Sequence, residues 1–176
     1  MDKSKDNYGT LTPLGHKQAK LTAKRLKEHP IEKINSSTLE RAKQTTMHVV
    51  GEFPKKDIDS HLLLKEGLPY LPDSVLKEKK IGKNHVKQDR ERMETAFQIF
   101  FVPFLKEGEF HEALICHGNL IRFFVCTALE VPIEAWTKFD IYECSITVIR
   151  IKQEGRISVL SVGEIGHIPV EERTFY

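Results

Sequence analysis

Ala113-Leu114-Ile115-Cys116-His117-Gly118-Asn119 is the most informative stretch of this 176-residue chain. Four apolar residues in a row suit a short strand of a parallel sheet covered on both faces. His117-Gly118-Asn119 breaks the run, and Leu120, Ile121, Phe124, Val125 and Leu129 follow at helical spacing. A buried strand turning through a histidine into a helix is half of a parallel α/β unit, and His117 then stands where open sheets of this class bind ligands.

The flanking sequence supports that class. Thr12-Pro13 predicts a capped helix start, with Gly15, Ala19, Ala23 and Leu26 as a stripe of small residues and Pro30 as its stop. A strand is predicted around Ile31 to Asn35. Ser37-Thr38-Leu39-Glu40 reads as a capping box, opening a helix that buries Leu39, Ala42, Thr46, Val49, Val50 and Phe53. Another strand is predicted near Ile58 to Leu64, then the rigid turn Glu66-Gly67-Leu68-Pro69-Tyr70-Leu71-Pro72. The Lys-rich residues 74–90 show little periodicity and read as a mobile surface excursion. Met93, Ala96, Phe97, Phe100 and Phe104 predict a helix that Pro103 bends or ends. Two β runs, Cys144 to Ile151 and Ile157 to Val162, flank Lys152-Gln153-Glu154-Gly155, which has hairpin chemistry. The fold expected is an α/β three-layer sandwich, a mostly parallel sheet flanked by helices, in one domain over residues 1–176. Its opening is unusual for the class, because polar residues lead directly into a helix with no strand first.

Composition narrows the function classes. With 40% hydrophobic residues the chain can build a core, and with 27 Lys and Arg against 25 Asp and Glu it has no whole-protein attraction to nucleic acid or anionic lipid. No apolar run approaches the roughly 18 residues of a membrane span. The segment Met1 to Asn7 lacks the apolar stretch of a signal peptide. Cys116, Cys126 and Cys144 are odd in number and irregularly spaced, so they read as buried thiols of a reducing compartment. The expected location is soluble and intracellular. Metal-ligand spacing is absent and no cofactor is expected. The lysines at 77, 79, 80, 83 and 87 have no interleaved aromatics, so nucleic acid is not an expected partner.

Three residues could carry chemistry. His117 closes a strand beside free helix amides that attract anions, and Gly118 lets a ligand approach the backbone. Arg41 is in the first turn of a helix, where a cation opposes the dipole unless an anion offsets it, and guanidinium pairs bidentately with phosphate. Glu66 sits in a fixed loop where burial would raise its pKa toward general-acid duty. Cys116 and His117 are adjacent on a strand and point to opposite faces, so they are not a nucleophile–base pair.

With these residues in hand, the chain resembles the histidine phosphatases of the phosphoglycerate-mutase-like superfamily, and within them the branch of mitochondrial serine/threonine protein phosphatases. The resemblance runs through Leu11-Thr12-Pro13-Leu14-Gly15, Ser36-Ser37-Thr38-Leu39-Glu40-Arg41-Ala42, Leu64-Lys65-Glu66-Gly67 and Cys116-His117-Gly118-Asn119-Leu120-Ile121-Arg122, in family order. Ser145-Ile146-Thr147 and Gly163-Glu164-Ile165-Gly166 also fit. It implies phosphotransfer through a phosphohistidine, with Arg41 neutralising the phosphoryl oxygens, His117 donating a hydrogen bond to them and Glu66 protonating the leaving oxygen. The implied substrate is a protein or peptide carrying phosphoserine, phosphothreonine or phosphohistidine. The implied location is the mitochondrial outer membrane, and a homo-oligomer is compatible with the family.

One departure stands out. The family's nucleophile lies in an Arg-His-Gly motif ending the first strand, ahead of the Leu-Thr-Pro-Leu-Gly stretch. No Arg-His dipeptide occurs in residues 1–176, and His16 lies on a helix rather than at a strand end. The expectation is a domain without the family's first strand, truncated at the N-terminus, with a gap or raw edges in its sheet. Turnover is then doubtful. The alternative is a non-catalytic pseudo-phosphatase that binds phosphorylated partners or acts as a scaffold.

Overall fold

Thr12 caps the first helix, α1 (Pro13–Leu26), in this computed structural model, which describes residues 9–175. Its side chain accepts the Gly15 amide at 3.0 Å, and Pro13 occupies the first turn, where its missing N–H leaves nothing unsatisfied. Ala19, Ala23 and Leu26 are buried, whereas Gly15 is only half-buried. The helix ends at Leu26, short of Pro30, which instead leads into β1 (Ile31–Ser37).

The next helix, α2 (Glu40–Glu52), corrects the predicted capping box. Leu39 is its N-cap and no side chain caps it. Ser37 still belongs to β1, and its hydroxyl accepts the Leu39 amide at 3.2 Å. Behind α2 comes β2 (Ile58–His61), and Leu62–Leu64 form a 3₁₀ turn rather than further strand. The predicted excursion at 74–90 is also corrected. It holds α3 (Asp73–Glu78) and the first turns of α4 (Lys83–Phe100). Widely spaced apolar residues, Leu76, Val86, Met93 and Ala96, anchor the two helices, and the lysines between them face solvent.

β3 (His111–Ile115) leads into α5 (Gly118–Ala128), and the hairpin β4 (Ile146–Ile151) and β5 (Ile157–Glu164) follows. Gly155, with φ at +85°, makes the hairpin turn. Three strands are parallel in the order β2-β1-β3, with Ile34 of β1 opposite Ile58 on one side and Ala113 on the other. Helices cover both faces. Ala23, Leu26 and Val49 of α1 and α2 pack on Ile31, Ile34 and Ala113, joined by Ile115 and Ile146. Met93, Ala96, Leu120, Phe123 and Phe124 of α4 and α5 pack on the other side with Leu114, Cys116 and Ile149. The chain is thus an α/β layered fold, as the strand and helix pattern implies.

β4 contributes Ile146 to one layer and Ile149 to the other, yet it forms a separate antiparallel sheet with β5. Among the described residues, β3 has one strand neighbour, β1, and β4 has one, β5. No strand among the described residues pairs with the opposite edge of either. Partial cover also explains why β3 is less buried than its composition suggests, with only Ala113 fully enclosed. The thiols differ from expectation in the same way: all three are free, but only Cys126 is fully buried. No helix among the described residues is long and apolar enough to cross a membrane.

Candidate functional site

Three connections at the C-terminal ends of the parallel strands carry the polar residues singled out above. Arg41 follows β1, Glu66 follows β2 and its 3₁₀ turn, and His117 follows β3. Parallel register makes this convergence, because each strand ends at the same edge and each connection leaves from it.

His117 is the N-cap of α5 and is 5% exposed. Its Nε2 lies 2.8 Å from Ser37 Oγ. Burial, reinforced by the charges of Arg41 and Arg92, pushes its pKa down to about 3. The ring is therefore neutral at physiological pH and carries one N–H. Ser37 Oγ also accepts the Leu39 amide, and its hydroxyl can donate to His117 Nε2 or accept from it according to the ring tautomer.

Arg41 Nη2 stands 4.0 Å from Glu66 Oε2, with both side chains about one-third exposed (37% and 28%). That is an electrostatic approach and not a short hydrogen bond. Burial raises the Glu66 pKa, opposed by the Gly67 amide, Arg41, the Asn119 amide and Arg122. The Asn119 bond places the carboxylate at the start of α5, where the helix dipole favours an oxyanion. Gly118 is the first residue of α5, and a Cβ there would meet nothing within 4 Å. Its lack of a side chain leaves open space at the helix end. The structure thus gathers Arg41, Glu66, His117 and Gly118 around one helix terminus.

Several site residues carried no role in the sequence. Ser37, which the sequence pattern places in a capping box, is hydrogen-bonded to His117. Arg122 donates to Asn119 Oδ1 at 2.5 Å and to Asp140 Oδ1 at 3.1 Å, and lies over the Trp136 ring. This fixes Asn119, whose amide meets Glu66. Glu143, on the segment before β4, lies within electrostatic reach of Arg41, and desolvation raises its pKa. Cys116 is no nucleophile, because burial pushes its thiol up to about 12. A cavity of about 500 Å³ adjoins the site, lined by Lys65, Glu66, His85, Arg92 and Asn119 among others. Among the described residues no three His, Cys, Asp or Glu side chains are grouped to hold a metal.

The chain matches the sequence model described as histidine phosphatase superfamily (branch 1), in two overlapping segments, residues 5–94 and 76–163. Among curated proteins it is 37% identical over 172 residues to the mitochondrial serine/threonine-protein phosphatase Pgam5 of Caenorhabditis elegans, covering 94% of this chain and 60% of that protein. It is 36% identical to the Xenopus laevis mitochondrial serine/threonine-protein phosphatase PGAM5, over 98% of this chain and 64% of that one. The chain spans about three-fifths of the length of these relatives. Among solved structures, Plasmodium falciparum phosphoglycerate mutase superposes with a TM-score of 0.68 at 27% identity, over 94% of this chain and 92% of that chain. Bacillus stearothermophilus YhfR gives 0.72 at 21% identity, over 89% and 86%, a likeness of fold.

Proposed function

Since the chain belongs to the histidine phosphatase superfamily, we propose that the cleft of Arg41, Glu66 and His117 binds the phosphoryl group of a phosphoserine, phosphothreonine or phosphohistidine protein. The observation that carries this is the 4.0 Å separation of Arg41 and Glu66 at the start of α5. A guanidinium held beside a carboxylate without closing on it keeps donors for a phosphoryl oxygen. Neutral His117 carries one ring N–H, which can serve as a second donor. Where a nucleophilic histidine is supplied to the site, Glu66, with its raised pKa, would give its proton to the ester oxygen as a histidine N–P bond forms and the P–O bond breaks. Its carboxylate can later take a proton from the water that hydrolyses a phosphohistidine.

Residues 1–176 contain no Arg-His dipeptide to supply that phosphohistidine. We therefore propose that this stretch binds the phosphoryl group without turning it over. A strand bearing the nucleophilic histidine would lie against β3 or β4, whose other edges pair with no strand among the described residues. The pseudo-phosphatase reading shares the binding step and differs only in whether such a strand is ever present.

Calorimetry on the 176-residue chain tests the binding step, using orthovanadate, inorganic phosphate and a phosphoserine peptide. Binding is expected, weakened roughly 10- to 100-fold in Arg41→Ala by the loss of a charged hydrogen bond. No binding, or binding indifferent to Arg41, overturns the reading. Turnover by residues 1–176 that His117→Ala abolishes would overturn the claim that the nucleophile lies elsewhere. Adding an Arg-His-Gly strand ahead of Thr12 is expected to create activity.

A further inference from the structure

Lys65 to Pro72 have neither helix nor strand, yet they carry Glu66. One charged pair on α4 holds the start of this segment. Arg92 Nη1 donates to Leu63 O at 2.9 Å and Lys65 O at 2.7 Å, and Nη2 donates to Glu66 O at 3.1 Å. Nη2 also donates to Asp89 Oδ1 at 2.9 Å, while Asp89 Oδ2 accepts the Leu68 amide at 2.9 Å. Four of the six residues from 63 to 68 are thus tied by two side chains one helical turn apart. Gly67 lies against the pair so closely that a Cβ would come within 2.5 Å of Arg92 Nη2 and Asp89 Cγ.

We propose that Arg92 and Asp89 are positioning residues, which aim the Glu66 carboxyl at Arg41 and the start of α5 by fixing the backbone of residues 63–68. The proposal rests on the reading of Glu66 as the acid of the phosphoryl site and extends it to residues that do not touch the phosphoryl group. Both side chains are mostly buried, at 19% and 14% exposure. A buried ion pair brings little net stability, because desolvation offsets its Coulomb energy. Backbone aim explains its geometry better: a planar guanidinium reaches three carbonyls in fixed directions, which a lysine ammonium does not. The same pair also lines the 500 Å³ cavity beside Glu66, so the clamp shapes the approach to the acid.

The groups facing the Glu66 carboxyl are the Arg41 guanidinium from α2, Arg122 and the Asn119 amide from α5, the Gly67 amide, and the Cys116 thiol at the end of β3. From α4, Arg92, Asp89 and His85 line the cavity that Glu66 also lines, His85 with Nε2 3.6 Å from Asp89 Oδ2. Burial dominates among them and holds the carboxyl above its ordinary 4.5. Freeing the loop would expose the carboxyl and let its pKa fall toward that value.

The test uses the whole chain with no ligand, following Glu66 by carbon NMR titration, residues 63–68 by amide exchange, and melting temperature alongside. In Arg92→Ala the Glu66 titration is expected to move down, and the Leu68 amide to exchange at least about tenfold faster relative to the core strands. If Arg92→Ala does not fold, Asp89→Ala decides, because it leaves the three carbonyl bonds of Arg92 in place while freeing the Leu68 amide. It is expected to speed exchange of the Leu68 amide, which is the deciding readout in this variant, because loss of the Asp89 charge alone lowers the Glu66 titration. A lower melting temperature with Glu66 titration and loop exchange unchanged would reduce the pair to a structural role and overturn the proposal. Since no phosphate is present, this result is independent of whether the site binds one.

Discussion

His117 Nε2 and Ser37 Oγ meet at 2.8 Å, so the residue that caps α5 is fixed by the last residue of β1. Both side chains are buried, at 5% and 0% exposure, and no water can replace either partner cheaply. Ser37→Ala leaves a ring nitrogen unsatisfied, at a cost of about 1–3 kcal/mol. Chemical denaturation is expected to show that loss, and phosphate affinity is expected to fall with it as the imidazole loses the partner that orients it. An unchanged midpoint would mean that Ser37 does not hold the imidazole.

The depressed pKa of His117 sets a pH dependence of stability. Its ordinary value is 6.5 and the folded value is about 3. Between those limits the unfolded chain binds the proton and the folded chain does not, so this histidine makes stability fall as pH falls from 6.5 toward 3. The slope for one proton is about 1.4 kcal/mol per pH unit. Glu66 has the opposite sign, because its raised pKa stabilises below 4.5 and that contribution is lost as pH rises through the folded value. His117→Asn isolates the first effect. Denaturation midpoints from pH 7 to 4 are expected to fall less steeply in the variant, and parallel slopes would show that His117 titrates normally.

How far the sequence reaches can be judged at particular residues. The run 113–116 and the turn at His117 are legible because an apolar strand and a glycine turn are local features, and the parallel sheet follows from them. Arg41, Glu66 and His117 are legible as candidates through position, each following a strand. Ser37 is not, because Ser-Thr-Leu-Glu satisfies the capping-box pattern locally while the hydroxyl is taken by a histidine 80 residues away. The clamp at Arg92 and Asp89 is hidden for another reason. These residues lie at the edge of a Lys-rich segment whose apolar contacts, Leu76, Val86 and Met93, are too widely spaced to show a helical stripe. The acidic residue three positions before an arginine was visible there, but such pairs are common on exposed helices. The edges of β3 and β4 that pair with no strand among the described residues belong to the sheet as a whole, and they are legible through the polar opening and the absent Arg-His-Gly motif rather than through any local pattern.

Thiol reactivity checks the packing around the site. Burial pushes both Cys116 and Cys144 up to about 12 and also raises Cys126. At pH 8 almost none of Cys116 or Cys144 is thiolate, and the thiolate is the reactive form. The native chain is expected to resist iodoacetamide at pH 8, with all three thiols labelled once it is unfolded. Fast native labelling of Cys116 would show that β3 is open to solvent beneath the site.

Two glycines separate fold from binding. At Gly67 a Cβ would stand 2.5 Å from Arg92 Nη2 and Asp89 Cγ and 2.6 Å from Asp89 Oδ2, and these two side chains are held by four hydrogen bonds to residues 63–68 and one to each other. Gly67→Ala therefore displaces the pair or the loop, at about 1–3 kcal/mol as overpacking. At Gly118 a Cβ meets nothing within 4 Å, and alanine is the better helix former. Gly118→Ala is expected to leave the melting temperature unchanged or slightly higher. If the phosphoryl group sits against the start of α5, that same methyl intrudes on it, and inorganic phosphate should bind roughly tenfold more weakly, a difference of about 1.4 kcal/mol. Calorimetry and melting on both variants give opposite patterns under this assignment. A Gly118→Ala chain with parental affinity would remove Gly118 from the phosphate site, and a Gly67→Ala chain of parental stability would show that the loop does not rest on the Arg92 guanidinium.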